Sequence, residues 1–224
     1  MSRGRGSTAV VTREEAIAQI AGVELGLLSP EQRAEQLWIM SEGENWSEAA
    51  GWSTLDGALR QEFVEGPLAY DAAHPRYDPV LLLWLRETYV GATNAHLRAR
   101  LQTLGITETE ISGEPEALAA CPCCGARSIS DRGEYDICPV CRWEDDGADN
   151  DAADRTSGPN HLSLTQARAN FLLHGICDPT RTDLRGAQHP PTRYERGRRF
   201  ALSEGGRRVY EVDGSWAARL PERT

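Results

Sequence analysis

The chain contains no lysine: all 24 basic residues are arginine. That bias reads as GC-rich coding rather than a selected property. Phenylalanine and methionine are also scarce, 3 and 2 against 6 Trp, so large amphipathic rings carry much of the aromatic content. No apolar run approaches the ~18 residues of a membrane-spanning helix; the densest is PVLLLWL at 79–85. Arg3 and Arg5 are followed only by the short TAVV before the charged TREE, so no secretory signal is read there. These absences lead to the expectation of a cytoplasmic protein without a membrane role, in a compartment where thiols stay reduced. Catalytic signatures are missing too. There is no G-x-S-x-G, no Walker loop, no Ser/His/Asp arrangement and no paired-carboxylate pattern.

What is present starts with charge. The 224 residues carry a formal −10, unevenly distributed. Residues 1–120 hold 9 Arg against 18 Asp plus Glu, residues 121–180 hold 5 against 10, and residues 181–224 hold 10 against 6. An acidic body disfavours general nucleic-acid binding and suits a basic protein partner, while the basic tail keeps nucleic acid as the alternative.

Helix-start signals crowd the first half. TREE (Thr12–Glu15) and SPEQ (Ser29–Gln32) have capping-box spacing before apolar periodic segments, the second with Pro30 at the favoured first helical position. STLD (53–56) opens a weaker segment bearing Leu55, Leu59 and Phe63. DP (78–79) opens another through Leu81, Leu82, Leu85 and Tyr89. GATN interrupts before Leu97, Leu101 and Leu104, closed by Gly105. The expected organisation is an unstructured end at 1–11, a helical domain at 12–106 and a polar linker at 107–119. A cysteine-rich module at 120–178 follows, then a basic tail at 179–224 with a hairpin around Gly205 and Gly206. SLTQ (163–166) starts the one flanking helix, with Leu164, Ala167 and Phe171 on one face and Gly175 as its stop. The fold class is α+β: an α-helical domain followed by a small zinc-ribbon module.

Five of the six cysteines fall within residues 121–141, CPCCGARSISDRGEYDICPVC. Cys121/Cys124 and Cys138/Cys141 form two C-P-x-C pairs. Two thiolates three residues apart can grip one metal if the backbone curls into a tight knuckle; proline fixes one dihedral of that turn and glycine finishes it. Two knuckles complete a tetrahedral S₄ shell, which suits one structural Zn²⁺. A thioredoxin-like redox pair would not need the second C-x-x-C. A rubredoxin-type iron centre shares the ligand geometry and stays open. A catalytic zinc keeps an open position, and four cysteines leave none. Cys123 is read as a knuckle residue turned away from the metal, and Cys177 as a small buried apolar residue.

CPCCG, GEYDICPVCRWEDDG and SGPNHLSLTQARANF together resemble the bacterial cysteine-rich CPCC family over about residues 120–178. TREEAI, LSPEQRAEQL and DPVLLLWLR resemble the amino-terminal part of its longer members. The resemblance implies a zinc-ribbon-like module and an immunity or interaction role beside bacterial toxins. Arg142 departs from it, standing where typical members have an aromatic residue before Trp143. The tail from 181 has no counterpart in it.

Three further stretches invite function. WEDDGADNDAAD (143–154) holds six acidic residues but no register of a calcium loop, and reads as a solvated acidic loop or a partner surface. Asn160 and His161 in SGPNHL read as turn formers. RYERGRRF and GGRRVY interleave arginine with Tyr194, Phe200 and Tyr210, as a modest nucleic-acid patch would. The reading is therefore a non-catalytic zinc-binding protein that acts as a protein-interaction module, with an immunity-type partner as its sharper form. Nucleic-acid binding through the tail is the alternative, and a redox or hydrolytic enzyme the remaining one.

Overall fold

The computed structural model describes residues 9–42, 51–65, 68, 70–106 and 109–220. The chain divides into two compact units, Met1–Val90 with Asn94–Pro115, and Gly91–Thr93 with Glu116–Thr224.

In the first unit, strand β1 (Ala9–Thr12) leads into helices α1 (Arg13–Leu27), α2 (Pro30–Glu42), α3 (Gly57–Glu65), α4 (Asp78–Glu87) and α5 (Asn94–Thr103), and strand β2 (Thr109–Ser112) closes it. Thr12 caps α1 through a reciprocal box with Glu15. Ser29 and Gln32 make the same exchange at α2, with Pro30 behind the cap. The start of α3 lies later than STLD suggests: the Asp56 carboxylate accepts the N–H of Leu59, while Trp52–Thr54 form a short 3₁₀ turn. Asp56 wins because an aspartate at that place satisfies an orphan helix N–H that Ser53 is too far back to reach.

The core of this unit gathers Leu37, Met40, Leu59, Phe63, Tyr77, Val80 and Leu81. Phe63 meets Trp52 and Tyr77 edge-on at 6.4 and 6.0 Å. Each such side chain taken from water contributes roughly 1.5–3 kcal/mol. Two partly buried polar contacts fix helix positions: Arg33 Nη2 reaches Asp78 Oδ1 at 2.5 Å, and Glu24 accepts from both Tyr89 and Arg100 at 2.7 Å. Strand β2 lies inside the stretch read as linker, and β1 overlaps the stretch read as an unstructured end. The two pair in parallel, Val11 opposite Ile111. Among the described side chains of these strands Ile111 is buried and Val10, Thr12, Glu110 and Ser112 are exposed, too short a pattern to read as alternation from the sequence. Residues 1–8 and 107–108 lie outside the described residues.

The second unit contains β3 (Ala119–Ala120), β4 (Arg127–Ile129), helix α6 (Leu164–His174) and strands β5 (Phe200–Leu202), β6 (Arg208–Glu211) and β7 (Ala217–Arg219). Strands β3 and β4 pair antiparallel around the first cysteine pair. Ser163 and Gln166 box the start of α6, and Gly175, in the left-handed conformation, ends it. The stretch read as a tail is built into this unit. Arg127 N–H donates to the Glu195 carbonyl, and the Gly125 carbonyl accepts from both Gly197 and Arg198. Beyond that edge β5, β6 and β7 form an antiparallel sheet in chain order. β5 and β6 turn through Gly205 and Gly206, both at positive φ; the third strand was not anticipated. The architecture is α+β, helical at the amino-terminal side and with small sheets around the cysteine region. Among the described residues no helix is long and apolar enough to cross a membrane.

Candidate metal centre

The two cysteine pairs sit in knuckles with the same hydrogen-bond plan. In the first, Gly125 N–H donates to the Cys121 carbonyl and Cys121 N–H to the Ala126 carbonyl; in the second, Arg142 N–H donates to Cys138 and Cys138 N–H to Trp143. Both turns end in the left-handed region, Gly125 at φ 80° and Arg142 at φ 67°. Arg142, the departure noted in the sequence, thus takes the glycine position of its knuckle. Gly125 has a second constraint: a Cβ there would stand 2.0 Å from the Arg198 carbonyl oxygen. The second knuckle is closed at its base by an antiparallel bridge between Ile137 and Glu144.

This geometry brings Cys121, Cys124, Cys138 and Cys141 together, their sulfurs all within 4.8 Å of one another. Cys121 and Cys141 are 3.6 Å apart, Cys124 and Cys138 3.7 Å. A zinc tetrahedron with ~2.3 Å Zn–S bonds has sulfur–sulfur edges of about 3.8 Å. The donor set and spacing fit a tetrahedral metal ion. The cluster is closed: all four side chains are buried against Ile129, Val140, Trp143, Leu164 and Ala167.

Electrostatics match the packing. Burial pushes the Cys121 and Cys141 thiols well above the ordinary range and raises Cys124. Burial acts the same way on Cys138. There, however, hydrogen bonds from the other three cysteines and the Ser128 hydroxyl, 3.2 Å from its sulfur, outweigh it and hold the thiol well below that range. Four buried thiolates without a cation would repel one another strongly, so a full thiolate set at this place requires a positive charge at its centre.

Cys123 is fully buried but outside the four-sulfur group, and Cys177 packs at its margin, its N–H donating to the Cys141 carbonyl. Burial raises the Cys177 thiol strongly. Asn160 is a brace: its amide accepts from Glu144 N–H at 3.0 Å and donates to the Glu144 carbonyl at 2.8 Å and to Ser157. His161 is exposed at φ 59° in the same turn.

Two carboxylates of the acidic loop turn inward, while Asp151 and Asp154 are exposed. Asp145 is fully buried, taking Arg132 Nε at 2.7 Å and the Gly133 N–H at 2.9 Å. Asp149 takes Arg132 at 2.7 Å and Arg198 at 2.8 Å, with Arg168 at 3.6 Å. Glu211 binds Arg198 at 2.7 Å. Burial alone would raise the Asp149 carboxyl, but the two arginine hydrogen bonds prevail and hold it at about 2. Arg198, aided by Asn150, brings Glu211 to about 2. Loop carboxylates and tail arginines thus neutralise one another inside the unit.

Arg168 is the residue sequence reading missed. It is fully buried, with its guanidinium 4.2 Å from the centroids of both Phe200 and Trp216. Nε donates to the Pro122 carbonyl within the first knuckle, and Nη1 to Asn150. Burial and the neighbouring Arg198 charge lower it to about 10. A signal existed: Arg168 lies four residues after Leu164, on the buried stripe of α6.

Residues 119–192 match the cysteine-rich CPCC family model, described as "Cysteine-rich CPCC". The match takes in all four clustered cysteines and runs past Cys177 into the stretch read as tail. No curated protein and no solved structure matches the chain.

Proposed function

We propose that this protein is a non-catalytic, zinc-binding protein in which the metal holds the second unit folded, and that the acidic helical unit binds a basic protein partner. The closed four-thiol cluster carries the first half. Four sulfur ligands fill a tetrahedral zinc and leave no position for substrate or water. A metal so held contributes about 10–16 kcal/mol of apparent binding energy at neutral pH to a fold with a small core. Metal analysis of purified protein tests it: one zinc per chain, lost in Cys138→Ala, is expected. Iron, or a metal content unaffected by the substitution, overturns the assignment.

The partner half is supported by α2. Glu31, Glu35, Trp38 and Glu42 are all exposed and fall on one helical stripe, with Trp38 64% exposed. An aromatic anchor ringed by carboxylates suits the basic face of another protein, the arrangement an immunity-type partner of a toxin would need. The test is to co-express the chain with any toxin-like reading frame that adjoins its gene and to read growth; the absence of such a frame counts against the immunity form. Relief by the wild type and its loss in Trp38→Ala are expected; equal relief by the variant overturns the role of this stripe.

A further inference from the structure

The carboxy-terminal sheet sorts its residues cleanly by face. Phe200, Val209, Glu211 and Ala218 are buried on the side that packs on α6 and Arg168. The pairing register places the alternate residues on the other side. There Arg208 stands directly opposite Arg219, Tyr210 lies between Ala201 and Ala217, and Val212 N–H bonds to the Arg199 carbonyl in the row beyond. Arg199, Arg208, Tyr210 and Arg219 are exposed.

Two features of this face want explanation. Arg208 and Arg219 form a like-charge cross-strand pair, an arrangement that costs stability. Their guanidinium groups, and that of Arg199, pair with no carboxylate among the described residues, although the unit is rich in acids and pairs Arg132 and Arg198 tightly. Tyr210 is flanked on both neighbouring strands by alanine, the smallest side chain that could stand beside it, and is 37% exposed. The arginine rows lie four residues apart along the sheet, about 13 Å, with the ring midway.

We propose that this face binds single-stranded nucleic acid, with a base stacked on Tyr210 and the flanking phosphates met by the Arg208–Arg219 pair on one side and Arg199 on the other. An anion between Arg208 and Arg219 removes the like-charge cost, and stacking is open to any base because every base has a π-face. A duplex keeps its bases stacked inside and cannot use the tyrosine. The proposal is independent of the α2 stripe and of which metal the cysteines hold.

Fluorescence anisotropy of the full chain with a labelled thymidine strand of about twelve nucleotides tests it. Expected are binding at low salt, a loss of about ten-fold or more in Arg208→Ala/Arg219→Ala, and a log–log salt slope shallower by about 1.4 in that variant. Tyr210→Ala should lose about five-fold or more. The double variant should melt no lower than the wild type, because it relieves repulsion; that separates lost binding from lost folding. No binding by the wild type, undiminished binding by the double variant, or a Tyr210→Ala variant that binds the strand as well as the wild type overturns it. Equal preference for duplex, heparin or anionic vesicles does so as well.

Discussion

Gly125 and Arg142 hold the same place in the two knuckles. Each donates its N–H at 2.9 Å to the carbonyl of the cysteine four residues earlier, and each has a left-handed backbone. Gly125 is forced to be glycine because it lies under the Arg198 carbonyl, whereas position 142 carries an arginine side chain. Gly125→Ala is therefore expected to cost roughly 3 kcal/mol, from the left-handed strain together with the displaced Arg198 backbone. Arg142→Gly should stay within about 1 kcal/mol of the wild type, since relief of strain offsets the added freedom of the unfolded chain. Thermal melts of the two metal-loaded variants followed by circular dichroism check the asymmetry.

Metal removal should act regionally. With a chelator added to the full chain, amides of the two knuckles and of α6 are expected to exchange quickly, while those of α1, α4 and α5 keep their protection. The helical unit has its own core of Leu37, Phe63, Tyr77 and Leu81 and needs no metal. Hydrogen exchange read by mass spectrometry reports both units in one experiment.

The arginine–carboxylate network predicts a pH response. Glu211 and Asp149 titrate at about 2 in the folded protein, below ordinary carboxylates at about 4. Depressed carboxyls stabilise the fold above the ordinary range, and that contribution is lost as the pH falls from about 5 toward 2. Glu211→Gln removes one such group. Its stability deficit should be largest at neutral pH and begin to shrink as the pH falls below about 5, as urea titrations of both metal-loaded proteins over the range in which they keep the metal would show.

Arg168→Ala is expected to destabilise the second unit by roughly 3–5 kcal/mol, as loss of a buried, hydrogen-bonded partner does. Arg168→Lys should not restore it: an ammonium lacks the planar fork that contacts both Phe200 and Trp216 while Nε donates to Pro122 and Nη1 to Asn150. A red shift of tryptophan emission in the folded Arg168→Ala protein, as Trp216 meets water, gives a direct readout.

Legibility in the sequence followed the range of the interactions. Capping boxes at Thr12, Ser29 and Ser163 are three-residue signals and could be read directly. So could the spacing that brings Cys121, Cys124, Cys138 and Cys141 together, since each knuckle is a local turn. The parallel pairing of β1 with β2 could not be read, because its partners are separated by the whole helical unit. Nor could the inward turn of Asp145 and Asp149: six acidic residues in twelve look solvated until the arginines that meet them, Arg132, Arg168 and Arg198, are known to converge. Arg142 shows the intermediate case. Its oddity was visible, but its cause, a left-handed turn position, needed the backbone.

The parallel ladder between residues 9–12 and 109–112 also sets an order of events at the ribosome. The first strand emerges about 100 residues before its mate, so the amino-terminal edge stays unpaired while those residues are made. Until Ser112 clears the exit tunnel, the helices must cohere through their apolar stripes alone, and the closing strand works as a latch that registers the unit as complete.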